Sequence, residues 1–261
     1  MDKNALLKMV SKLEDRVLVS RLLDKVEQCH YSSFSYSDFL SPYEATIFKR
    51  VLEKVNDVFY TFIGGYDGAE RVIAAISCDF IDEEDARSNA PLSFLRITTS
   101  IDKALSHRDY LGSLLGLGIK REKIGDILVC ESYADVFLIE KLAEYILYNL
   151  DKIGNTKVKC ELLDVYQYTA PQKNEKLITT TVASLRADSV ASSGFSVSRT
   201  KVMDYFRAQR VNVNWEMVQN PSKQLSEGDV ISIRGMGRIV LEKVVGTTKK
   251  DRINIVIKRF E

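Results

Sequence analysis

Residues 92 to 163 constrain the fold more than any other stretch, because their hydrophobic period changes four times in a fixed order. LSFLRITTS alternates like a strand, HRDYLGSLLGLG carries helical spacing, and GDILVC and SYADVFLI alternate again on either side of a short turn. EKLAEYILYNL returns to helical spacing and TKVKCELL ends the run as a strand. The order β-α-β-β-α-β predicts a four-stranded antiparallel sheet with both helices on one face, the split βαβ arrangement. Alternation then assigns the faces. Leu95, Ile97, Ala134, Val136 and Leu138 turn toward the helices. Phe94, Arg96, Tyr133 and Phe137 lie on the other face, with Lys157 or Lys159 near an edge.

That second face has two readings. Aromatic rings with a few cations make a stacking platform for unpaired bases, the way many sheets of this ferredoxin-like kind hold RNA. Alternatively the N-terminal part of the chain covers the face and the rings are core between modules. The aromatic-Gly-aromatic run of the common RNA-recognition sheet is absent.

The flanking segments read as separate modules. Residues 2 to 28 predict helix, in one or two pieces, with an apolar stripe of Leu6, Met9, Leu13, Val17, Leu22, Leu23 and Val26 for core packing. Ser41-Pro42-Tyr43-Glu44 is a helix start: Ser41 caps, Pro42 fits the first turn and Glu44 closes a capping box. Residues 58 to 65 and 71 to 78 predict a hairpin around GGYDG, and the acidic run 81 to 91 a polar connector. The expected divisions are 1–91, 92–163, a connector at 164–182, and 183–261. The fold class is α/β in the α+β sense: a helical and hairpin module, a ferredoxin-like module, and a C-terminal helix pair on a small β-rich unit.

Charge separates these parts. Residues 183 to 261 hold 14 Lys and Arg against 8 Asp and Glu, a net +6, whereas residues 1 to 182 hold 23 against 28, a net −5. Such asymmetry is the footprint of a polyanion partner at the basic end. Within that end, residues 184 to 215 predict two short helices, the first over Ser184–Ser192 with a break at Gly194, the second from Ser198. Val211 and Val213 alternate with Asn212 and Asn214 as a strand. Arg186, Arg199, Lys201, Arg207 and Arg210 fall on the polar side, a face suited to phosphates.

Arg186 and Asp188, Ser198-Arg199, the Val211–Asn214 strand and EGDVISI at 227 to 233 together resemble the S-four RNA-binding domain. The resemblance implies RNA contacts from Ser198, Thr200 and Asn214 beside the five basic residues. Family members usually have Gly where Gln209 and Trp215 stand. If the Gln209 position needs a positive φ, Gln holds it less comfortably than Gly, and Trp215 is expected as a surface position near the RNA face. Over its whole length, with GGYDGAERV, HRDYLGSLLGLGIKREKIGDILV and the GMGR at 235 to 238, the chain resembles the YlmH family. The resemblance implies a cytoplasmic protein that binds structured RNA without catalysis. It implies ribosomal RNA of the large subunit, with tRNA, and rescue of subunits blocked by peptidyl-tRNA. A link to cell-division genes also follows from it.

Little else in the sequence points to chemistry. His30 and His107 have no paired Cys or His of zinc-finger spacing, and Cys29, Cys78, Cys130 and Cys160 are expected to be reduced and buried. His107-Arg108-Asp109 has Leu114 where a kinase catalytic loop needs Asn. GGYDG lacks the Gly-Lys-Ser/Thr ending of a phosphate loop, and Asp82 to Asp85 read as a solvated acidic loop. No catalytic residue, cofactor, metal or membrane span is expected. Two other classes remain: an RNA-modifying enzyme, which needs a deep pocket in residues 1 to 163, and a scaffold for division proteins, which needs an apolar patch outside the last domain.

Overall fold

The computed structural model describes residues 3–99, 105–165, 168, 175–248 and 251–260. It divides into two compact units, residues 1–170 and 171–261. The first unit holds both the N-terminal and the middle modules. The division falls inside the predicted connector, and the second half of that connector is a strand of the second unit's sheet.

In the first unit, α1 (Lys3–Leu7) and α2 (Leu13–Gln28) precede a short strand, β1 (Ser35–Tyr36). Helix α3 (Pro42–Leu52) starts with the predicted capping box: Glu44 N–H donates to Ser41 Oγ and Ser41 N–H to Glu44 Oε2. Strands β2 (Phe59–Ile63) and β3 (Ile73–Ser77) form the expected antiparallel hairpin, and β1 pairs with the other edge of β3. The predicted helical stripe is only half right. Leu6, Leu22, Leu23 and Val26 are buried, but Leu13 is 76% exposed, and Met9 and Val17 are also exposed. Val19 takes the inward position instead. The acidic connector contains a helix, α4 (Glu83–Ser88), capped by Asp82. Three acidic residues in its first turn suit the positive end of the helix, so the same charges that suggested a loop support a helix.

The middle module follows the predicted order: β4 (Leu92–Thr99), α5 (His107–Gly116), β5 (Ile124–Val129), β6 (Tyr133–Ile139), α6 (Ala143–Asn149), a short β7 (Lys152–Ile153), and β8 (Thr156–Leu163). The sheet order is β5-β6-β4-β8-β7, all antiparallel. It is the split βαβ sheet with one extra edge strand. Leu95, Ile97, Ala134, Val136 and Leu138 pack with Tyr110, Leu114, Ala143 and Ile146 of the two helices, as the alternation assigned them.

The opposite face is core at one end. Phe94 and Phe137 are 2% and 0% exposed and stack 5.3 Å apart. They pack with Phe39, Ile63, Tyr66 and Ile73 of the N-terminal module. Two glycines permit this approach. A Cβ on Gly65 would lie 2.0 Å from the Phe137 ring, and one on Gly125 would lie 2.6 Å from that of Phe39. Asp126 pins the same joint by accepting from Tyr66 Oη at 2.8 Å and from the Glu70 and Arg71 backbone N–H groups at 2.7 and 3.0 Å. Arg71 and Arg121 both donate to the Ile124 carbonyl, at 2.9 and 2.5 Å. GGYDGAERV and the IGD of the middle module are therefore two sides of one seam.

The second unit is a six-stranded antiparallel sheet packed on two helices. Strand β9 (Glu175–Val182) leads to α7 (Ala187–Gly194) and α8 (Arg199–Arg207). Then come β10 (Val211–Val213), β11 (Glu216–Met217), β12 (Val230–Ile233), β13 (Gly237–Thr247) and β14 (Ile253–Phe260), in the order β11-β10-β12-β13-β14-β9. Val190, Ala191, Val202 and Phe206 of the helices join Val211, Val213, Ile231, Ile239 and Ile257 in one core. Helix α7 starts and ends later than the predicted span. Gly194 stays helical, and the break comes at Ser196, whose φ is +55°.

Candidate nucleic-acid interface

The N-terminal ends of α7 and α8 meet on Asp188. Its carboxylate is 1% exposed and accepts four charge-assisted hydrogen bonds. Arg186 Nε and Nη2 donate at 3.1 and 3.3 Å, and Arg199 Nε and Nη2 at 2.9 and 2.7 Å. Burial alone would raise this carboxyl's pKa, but the Arg199 and Arg186 hydrogen bonds outweigh it and hold it below its ordinary value. Two guanidiniums facing one carboxylate leave one net positive charge. Both keep solvent access, with the Arg199 side chain 55% exposed.

The two helix starts differ. In α7 the Ala187 and Asp188 N–H groups donate to the Lys223 and Pro221 carbonyls, so that end is plugged by backbone. In α8 the first turn is capped by the Ser198 hydroxyl, which accepts from Lys201 N–H at 3.2 Å. Thr200 and Lys201 stand exposed beside it. This end of α8 combines the positive pole of a helix with cationic side chains, a setting that favours phosphate. Lys223 was missed by the sequence reading. Its position became legible only once its carbonyl was seen to plug α7 next to Arg186.

The predicted single basic face divides. Arg207 is the last residue of α8, about 12 Å along the axis from Arg199 at the usual helical rise, and Arg210 lies past that end. Arg207 pairs with Asp204 at 3.0 Å. Arg210 stacks 5.0 Å over the Tyr205 ring and donates to the Arg234 carbonyl, so it holds the turn together. Gln209 takes φ +55°, so its position is one that favours glycine. The Asn214 side chain, expected to contact RNA, also has partners within the unit. Its amide donates to Asp229 at 2.8 Å and accepts from Val230 N–H at 2.9 Å. Asn214 and Trp215, at φ +50° and +65°, form the turn between β10 and β11, and the Asn214 amide helps to fix it.

In the middle module, the stacking platform is corrected at Phe94 and Phe137, which the N-terminal module buries. The other end of that face is open. Register places Tyr133 and Lys159 on either side of Thr98, and Asp135 and Glu161 on either side of Arg96. Arg96 donates to Asp135 at 2.8 and 3.0 Å and lies 4.2 Å over the Tyr133 ring, which half-buries both side chains in one stack. Lys157 and Lys159 are exposed on β8.

One site lies outside all these expectations. Cys29 and Cys78 form a disulfide, with Cα atoms 5.7 Å apart, and His30 lies beside it. Cys130 and Cys160 are free and half-buried, and burial pushes the Cys160 thiol up to about 11. The expectation of four reduced cysteines and of no Cys/His grouping is thereby overturned. The residues are 49 apart in sequence, and only the packing of α2 against the β2–β3 hairpin brings them together.

A cationic helix pair on an antiparallel sheet, together with a split βαβ sheet, defines the class of multidomain α/β RNA-binding proteins. Comparison with known proteins narrows it. Residues 96–167 match a family described as "Putative RNA-binding domain in YlmH". The chain is 34% identical over 250 residues to ribosome-associated protein quality control protein P2 of Bacillus subtilis (strain 168), covering 94% of this chain and 95% of that protein. In fold it is similar to the solved structure of cell division protein ylmH from Streptococcus pneumoniae, with a TM-score of 0.50 and 22% identity over 60% of this chain and 96% of that one. The chain belongs to the YlmH family of RNA-binding proteins.

Proposed function

We propose that this chain grips structured RNA of the large ribosomal subunit, together with tRNA, and acts without catalysis in clearing subunits obstructed by peptidyl-tRNA. The observation that carries the reading is the start of α8, where Arg186, Arg199 and Lys201 surround an exposed helix N-terminus. Shape and phosphate contacts of this kind position a protein on folded RNA without reading its sequence. The name of the Bacillus subtilis relative, which covers nearly the whole chain, supports the ribosomal setting. The open end of the middle sheet, with Tyr133, Lys157 and Lys159, supplies a second contact. Sedimentation through sucrose gradients tests the reading. The chain should travel with large subunits carrying peptidyl-tRNA, and Lys201→Ala combined with Thr200→Ala should shift it toward the top. Equal sedimentation of both proteins with subunits would remove α8 as the grip, and sedimentation of neither would remove the ribosomal target.

A further inference from the structure

The Cys29, His30 and Cys78 group has no part in the RNA-binding reading. Its three donor atoms, two Sγ and one ring nitrogen, all lie within 4.8 Å of one another. His30 Nδ1 is 3.2 Å from Cys78 Sγ. A disulfide has no need of an imidazole at that distance, whereas a metal does. Cys29 caps the C-terminus of α2 and is 4% exposed, and Cys78 directly follows β3. Both positions are therefore fixed by core packing, while exposed His30 can turn in from the surface. We propose that the reduced form of this group is a three-ligand site for zinc(II), with the fourth position open to water or an outside donor. Tetrahedral zinc, with bonds of about 2.3 Å to sulfur and about 2.0 Å to nitrogen, spaces its donors roughly 3.5 to 3.8 Å apart. Small side-chain rotations reach that spacing once the sulfurs are no longer joined. Two thiolates and an imidazole, with no carboxylate in the group, select zinc over magnesium or calcium.

The two forms are linked by a balanced exchange. A thiol reductant gives two electrons, the Cys29–Cys78 bond breaks, each sulfur takes a proton, and the reductant leaves as its own disulfide. Zinc then displaces both thiol protons, and neutral His30 donates through Nδ1 with its proton on Nε2. The site closes a 49-residue separation and so ties α2 to the hairpin in either form.

The test uses the full chain, reduced with a phosphine and desalted without oxygen, in competition with a chromophoric chelator for zinc. Cobalt(II) serves as a spectroscopic substitute. One equivalent should bind, with thiolate-to-cobalt charge transfer and tetrahedral bands. Cys29→Ser and Cys78→Ser should abolish it, and the oxidised chain should bind none. His30→Ala should weaken affinity by at least about tenfold, the scale seen when even an outer-shell partner of a ligand is removed. Cys130→Ser and Cys160→Ser should bind as the parent does. Zinc held equally well by Cys29→Ser, or unaffected by His30→Ala in a chain whose circular dichroism is unchanged, would overturn the proposal.

Discussion

Arg199→Ala should do two separable things to the C-terminal unit, and Lys201→Ala only one. Arg199 supplies the two shorter of the four hydrogen bonds to buried Asp188. Removing the sole partner of a buried charge costs about 3 to 5 kcal/mol. Here Arg186 remains, and the Arg199 side chain is 55% exposed, so solvent screening reduces the loss to about 1 to 2 kcal/mol. Lys201 is exposed and its replacement should fall within about 0.5 kcal/mol. Trp215, the chain's one tryptophan, lies in this unit, so its fluorescence during urea denaturation reports the unit's own midpoint. Either substitution should also lower the salt dependence of RNA binding by about 0.9 in slope if its cation meets a duplex phosphate. The acid side adds a check of sign. Asp188 has a lower pKa folded than unfolded, so its contribution is complete above the unfolded carboxylate value of about 3.9 and is lost as pH falls through the folded value. The gap between parent and Arg199→Ala should therefore close below about pH 4. An Arg199→Ala midpoint equal to that of Lys201→Ala at neutral pH would refute the account of Asp188 as a clamped buried charge.

Further outcomes follow from single positions. Gln209→Gly should raise the same urea midpoint, by about 0.5 to 1 kcal/mol, because φ +55° costs glycine nothing. Gly65→Ala should destabilise the first unit by about 1 to 3 kcal/mol, read as lost hydrogen-exchange protection in β2 and β3, because its Cβ would meet the Phe137 ring. Asn214→Ala should cost about 1 to 2 kcal/mol with RNA affinity per folded molecule unchanged, since its amide bonds Asp229 and Val230 rather than solvent. Cys160, with its thiol pushed up to about 11, should resist alkylation at pH 8 in the folded chain, and mass spectrometry after timed labelling checks it.

The middle sheet was legible because alternation is a local property, and a side chain's parity fixes its face whatever lies beyond. What parity could not tell was whether that face is bare. Phe94 and Phe137 are buried by a module whose approach depends on missing side chains at Gly65 and Gly125, and an absent Cβ leaves no periodic trace. The basic residues of the C-terminal unit were found, but their partners were not. Arg199 next to Asp188 is a contact between two helices, and Arg210 on Tyr205 is a contact around a turn. Composition shows the charges and hides the pairing. The Cys29–Cys78 pair was missed for the same reason, since its sequence separation resembles no ligand spacing. At Gln209 a departure from the family's glycine marked a position where a positive φ would matter, and the structure has φ +55° there.

Among the described residues, strand β9 has one sheet neighbour, and that strand is made after the other elements of its unit. It pairs along its whole length with β14, Val182 against Ile253 and Glu175 against Phe260. Two helices and four other strands must leave the ribosome before that partner exists. The α7–α8 pair and the β10–β13 meander are local and can settle early, whereas closing β9 onto β14 spans most of the unit and is slow by topology. Until it happens, β9 presents an open row of backbone donors and acceptors to any other strand within reach. A nascent chain of this protein thus passes through a period in which its cationic end is already shaped while its first strand is still unclaimed.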